Sequence, residues 1–114
     1  MKMLLAVVLI GGIAATSAYA APKAESAVEC GIAADMAVVA RSLAEEEVKR
    51  PQATAIMARI YDVSDSARGR ELMKDILDAA YRTDGADSQT FAEELFTACM
   101  KTGGNMDTVL GRAL

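Results

Sequence analysis

The stretch 26–50 constrains the fold of this chain more than any other. On a helix at about 100° per residue, Val28, Ile32, Met36, Val39 and Leu43 align as a stripe of large apolar groups. Beside it, Cys30, Ala33, Ala37, Ala40 and Ala44 form a stripe of small ones. The remaining wedge holds Asp35, Arg41, Ser42 and Glu45, interrupted by Val38. A helix apolar over more than half its circumference is covered on two sides. The large groups call for interlocking side chains, and the alanines admit a neighbouring helix at close range. This is the pattern of the central helix of a small bundle.

Caps and breaks divide the rest. Ser26-Ala27-Val28-Glu29 fits a capping box, in which Ser26 serves the Glu29 amide and the Glu29 side chain reaches back. The first helix is expected to run through Glu45-Glu46-Glu47 to Lys49 or Arg50, closed by Pro51. Proline also suits the first turn of the next helix. That second helix spans Pro51 to about Val63, with Ile56, Ile60 and Val63 as its apolar edge and Met57 and Tyr61 flanking.

Ser64-Asp65-Ser66 offers caps for a third helix, whose regular part is expected from near Arg70 because Gly69 weakens its start. It ends at Arg82 or Thr83, with Leu72, Met73, Ile76, Leu77, Ala80 and Tyr81 inward and Glu71, Lys74, Asp75, Asp78 and Arg82 outward. Asp84-Gly85 stops it. Asp87 or Ser88 caps a fourth helix, with Thr90-x-x-Glu93 as a competing box. Phe91, Ala92, Leu95, Phe96 and Cys99 form its inner face, and Thr102-Gly103-Gly104 ends it. No strand pattern, internal repeat or low-complexity segment appears.

A chain of 114 residues makes one domain, and a small one gains from a staple. Cys30 and Cys99 supply it in an oxidising compartment. The closed loop of about 70 residues is worth ~4 kcal/mol on a chain-entropy estimate. Two buried free thiols and a metal pair are the alternatives, and two thiolates without histidine make a poor metal site. An up-down-up-down path brings the start of helix one and the end of helix four together. Helix four is therefore expected on the alanine stripe, with helices two and three over the larger groups.

Residues 1–20 read as a secretory signal: Lys2 gives a positive start, Leu4 to Ile13 an apolar core, and Ala18 and Ala20 the small residues of a cleavage site. An uncleaved membrane anchor is the alternative, since no charge occurs between Met3 and Ala21. The strongly apolar part ends near Ile13, however, short of the ~20 residues that span a bilayer. Cys30 follows Ala-Val-Glu well past the apolar core, which is not a lipidation site. The expected organisation is a signal peptide at 1–20, a mobile leader at 21–25, a helical bundle domain at 26–104 and loose C-terminal turns at 105–114. The expected fold class is all-α, a small four-helix up-down bundle stapled by one disulfide after a cleaved signal peptide.

Losing residues 1–20 takes away one base and no acid, so the net charge of −4 becomes −5. That disfavours nucleic acid and anionic membranes as partners. With no histidine in the chain, histidine-dependent serine or cysteine nucleophiles are excluded. Ser-x-x-Lys and Cys-x-x-Cys spacings are absent. Glu45-Glu46-Glu47 and Glu93-Glu94 are the carboxylate clusters, but adjacent helical residues point about 100° apart and do not converge on one substrate. Asp62-Val63-Ser64-Asp65-Ser66 opens like a calcium loop, yet Ala67 and Met73 occupy the positions that need glycine and glutamate. Met36, Met57, Met73, Met100 and Met106 suit gap filling in an aromatic-poor core, and Met106 is the candidate exposed contact. No catalytic residue, cofactor or metal ligand is expected.

The landmarks Cys30 with Ala33 to Arg41, Ala80-Tyr81-Arg82, and Phe91 to Cys99 give the chain a likeness. It resembles small exported proteobacterial helical proteins of unknown function with one disulfide. In layout it is also similar to periplasmic immunity proteins of the Rap and Tai classes and to small acid-stress chaperones. The resemblance implies a helical secreted domain with one disulfide and no known activity. A stapled, acidic, compact scaffold without a recognisable active site leads to the expectation of a periplasmic or secreted protein that binds another envelope or secreted protein, as an inhibitor or immunity protein, with a homodimer allowed. An acid-responsive chaperone is the alternative, and a small histidine-free enzyme the third reading.

Overall fold

The computed structural model describes residues 24–63, 66–82 and 86–111. The expected signal peptide, with Ala18 and Ala20, lies outside the described residues, as do Ser64-Asp65 and the expected stop Asp84-Gly85. Five helices occur among the described residues: α1 (Ala27–Glu45), α2 (Arg50–Ile60), α3 (Ala67–Arg82), α4 (Ser88–Lys101) and α5 (Asp107–Leu110). No strand occurs among those residues, and one disulfide joins Cys30 to Cys99. The all-α class is as expected.

Ser26 caps α1, its hydroxyl accepting from the Glu29 amide at 3.2 Å. The reciprocal arm is displaced by one residue: the Glu29 carboxylate accepts from the Glu25 amide at 2.9 Å. α1 stops at Glu45, short of the expected Lys49 or Arg50. The Val48 amide donates to the Leu43 carbonyl and the Glu47 amide to the Ala44 carbonyl, both at 3.0 Å. Glu47 takes the left-handed conformation with φ of 61°. This is a Schellman ending, and it folds Val48 back beside Leu43, both partly buried. Pro51 then sits in the first turn of α2, which ends at Ile60 and not Val63.

α3 begins at Ala67, earlier than expected, because Ser66 accepts from the Gly69 amide at 2.9 Å. A Cβ on Gly69 would stand 3.0 Å from Val63, so the bare backbone lets Val63 pack there. Asp87 caps α4, accepting from the Thr90 amide at 2.7 Å. The competing box is not used, since Glu93 instead accepts from Gln89 at 3.1 Å.

α1 packs most extensively on α4 and next on α3, with a smaller contact to α2. Its small stripe is the buried one: Cys30, Ala33, Ala37 and Ala40 lie in the core with Met36. The larger stripe is only partly covered. Val39 and Leu43 pack against the core, but Ile32 is 44% and Val28 71% exposed. α3 reaches this end, where Arg68 pairs with Glu29, but leaves both groups open, and α2 is too short: at 1.5 Å per residue its 11 residues span about 16 Å and the 19 of α1 about 28 Å. A helix entering from the far end of α1 cannot reach Val28.

α3 is packed by α1, α2 and α5. Its buried arc is therefore wider than one stripe, and Asp75, expected outward, is buried with Ala79. The C-terminal segment is not loose where it is described: Met106 and Leu110 are core residues, so Met106 is not an exposed contact. The leader is also held at its end. Ala24 is buried, and its amide donates to the Gly104 carbonyl at 3.0 Å.

Two substitutions probe these turns by urea or thermal unfolding. Gly104 has φ of +104°, and a Cβ there would lie 2.0 Å from the Ala24 carbonyl oxygen. Gly104→Ala is expected to destabilise by about 2–3 kcal/mol. Glu47→Gly relieves a left-handed residue without a Cβ clash and is expected to stabilise by about 0.5–1 kcal/mol.

Candidate functional site

The seam between α1 and α4 carries two exposed apolar groups beside a concavity. At one end the Cys30 and Cys99 Cα atoms are 5.7 Å apart, and both residues are almost fully buried. A cavity of 220 Å³ lies there between the Ala24–Ala27 segment, the disulfide, Met100 and Gly104. Further along, a groove of 360 Å³ has Gly31, Ala34 and Val38 of α1 as one wall and Ala92 and Phe96 of α4 as the other.

Phe96 and Met100, one turn apart on α4, stand 40% and 48% exposed. Phe96 was expected on the inner face with Phe91, Ala92, Leu95 and Cys99. Those four are buried, whereas Phe96 falls at the flank of their arc and opens to the groove. Among the described methionines, Met36, Met57, Met73 and Met106 fill the core, and Met100 is the exposed one. The one-turn spacing of Phe96 and Met100 does not by itself distinguish this open edge from the buried face.

Gly31 has no role in packing. It is exposed within α1, and a Cβ built on it meets nothing within 4 Å. Glycine inside a helix is about 1 kcal/mol less favourable than alanine.

The ionisable residues lining the two cavities are Glu25, Asp35 and Glu93, all acidic. Asp35 accepts a hydrogen bond from the Tyr61 hydroxyl. Burial, reinforced by that bond, pushes the Tyr61 hydroxyl well above its ordinary value. Glu93 is held only by the Gln89 amide, and Glu25 lies 3.5 Å from Arg68.

A second apolar edge borders α1 and α3, where Ile32, Met36, Val63 and Leu72 line a cavity of 150 Å³. Arg68 closes its rim with a bidentate contact to Glu29 at 3.0 and 2.9 Å. This pair was not legible in the sequence, because the partners are 39 residues apart. Between α4 and α5 a shallow hollow of 620 Å³ is lined by four threonines with Glu93, Glu94 and Lys101. Among the described residues, no group of three or more His, Cys, Asp or Glu is placed to hold a metal ion. Glu45, Glu46, Glu47, Glu93, Glu94 and Asp62 all face solvent. Among the described residues no helix is long and apolar enough to cross a membrane.

The paired carboxylates link stability to pH. The Arg68 hydrogen bonds, aided by the Glu25 amide, hold Glu29 below the ordinary carboxylate range. Partial burial raises Asp78, but hydrogen bonds from Arg50 at 2.7 Å and Lys74 at 3.2 Å more than reverse this, and its carboxyl is also lowered. A group depressed in the folded state stabilises above its unfolded pKa, and that contribution disappears as pH falls through the folded value. Unfolding midpoints followed by circular dichroism should therefore drop as pH falls from about 5 to 3. In the Glu29→Gln, Asp78→Asn double variant that drop should be visibly shallower, with lower stability at neutral pH.

No family model, curated protein or solved structure matches this chain.

Proposed function

We propose that this chain is an exported helical protein that acts by binding another protein. In this reading residues 1–20 are a signal peptide cleaved after Ala20, and the first four helices alternate in direction as an up-down bundle. The protein works in the periplasm or outside the cell as an inhibitor or immunity protein, in keeping with its likeness to that class. The observation that carries the reading is the exposure of Phe96 and Met100 beside a concave seam, where burial on a partner would recover apolar area. The Cys30–Cys99 disulfide supports export, because such bonds persist in oxidising compartments.

A second reading is an acid-responsive chaperone, and the lowered carboxyls of Glu29 and Asp78 favour it. Asp87 adds to them, lowered by the Thr90 amide it caps. Protonating these groups loosens the helix contacts and exposes core surface.

Native mass spectrometry of the protein drawn gently from its own cells tests the first reading. A discrete complex with one other protein is expected, at a mass lacking residues 1–20 and two hydrogens for the disulfide. The absence of any complex with another protein would sink it. Binding of an apolar dye near pH 3, absent at pH 7, is the outcome that favours the chaperone.

A further inference from the structure

We infer that the α1–α4 groove docks a cationic amphipathic helix of a partner protein, which crosses α1 at Gly31 and packs against Phe96 and Met100. The inference rests on the binding reading above and names the face and the chemistry of the partner.

Three observations converge on it. Phe96 at the groove and Met100 at its continuation are exposed one turn apart on α4, an open apolar edge beside the concavity. Every ionisable residue lining the groove and its continuation is acidic, namely Glu25, Asp35 and Glu93. Asp35 and Glu93 are held by neutral donors, the Tyr61 hydroxyl and the Gln89 amide, so their charges remain available to a cation. Gly31 supplies the third. The fold makes no use of its missing side chain, since nothing lies within 4 Å of a Cβ there. A second backbone approaching over α1 does make use of it.

The same charges decide the occupant. A second copy of this chain would bring Asp35 and Glu93 against another acidic groove, and an anionic lipid surface would meet the same repulsion. A helix with Lys or Arg flanking an apolar stripe gains on both counts.

The test uses the protein purified as its cell makes it and a Leu/Lys amphipathic peptide of about 18 residues, long enough to hold a helix. Binding is read by fluorescence anisotropy, with a Leu/Glu counterpart and a scrambled Leu/Lys peptide as controls. The Leu/Lys helix is expected to bind, the controls at least about tenfold more weakly. Its affinity should fall about fivefold or more between roughly 50 and 300 mM salt. Gly31→Ala is expected to raise the melting midpoint by about 4–8 °C and to weaken peptide binding. Gly31→Leu should keep the helical spectrum and abolish binding. A purely structural glycine would not move stability and binding in opposite directions.

Absence of Leu/Lys binding, equal binding of the controls, or binding unchanged in Gly31→Leu overturns the proposal. So does a homodimer, or adhesion to vesicles containing anionic lipid, that Gly31→Leu disrupts. A native complex that survives in Gly31→Leu overturns the groove while leaving the binding reading intact. Absence of any complex in the parent protein removes that reading itself.

Discussion

The contact between α1 and α4 is the constraint on which the rest of the molecule depends. Ala33, Ala37 and Ala40 give α1 a nearly smooth face, and α4 approaches it with Phe91, Leu95 and Cys99 buried behind. Small residues on one side and large ones on the other let two helices pack without a layer of bulky groups between them. The Cys30–Cys99 bond fixes one end of this pair and closes a loop with a sequence separation of 69. α3 adds the next most extensive contact to α1 and α2 a smaller one.

Between the helices, polar side chains satisfy backbone groups that the connections leave free. Arg41 donates to the carbonyls of Ala80 and Ala86, each at 2.9 Å, and so ties α1 to the end of α3 and the approach to α4. The Tyr81 hydroxyl donates to the Val48 carbonyl in the corner between α1 and α2, and Arg82 donates to the Leu110 carbonyl at the end of α5. Charged donors serving buried carbonyls are among the stronger hydrogen bonds in a protein. Arg50 stacks over the Tyr81 ring at 5.8 Å while pairing with Asp78, so that corner is held from both sides.

Periodicity and caps made the four longer helices legible, and the cysteines made legible which helix ends meet. What the residues could not convey was how far each helix extends past its neighbour. Val28, Ile32 and Phe96 read as core by their spacing, yet they stand open: Val28 and Ile32 lie beyond the reach of α2, and Phe96 falls at the flank of the buried arc of α4. Asp75 and Met106 erred the other way. Both are buried, and α5, too short to show a periodic signal, packs against α3 and α4 in that region. The groove was half legible: Phe96 and Met100 were visible as apolar residues, but their outward placement was not. The Arg68–Glu29 pair needed three dimensions.

The strap formed by Ala24 bears on the chemistry of the disulfide. Cys30 and Cys99 are 3% and 1% exposed, and the cavity beside them is bounded by the Ala24–Ala27 segment, which is bonded to the turn after α4. A reductant meets those sulfurs when this corner opens. Reduction therefore carries the free energy of opening this corner in addition to the chemistry of thiol exchange. One hydrogen bond over a glycine places a structural step in front of a chemical one.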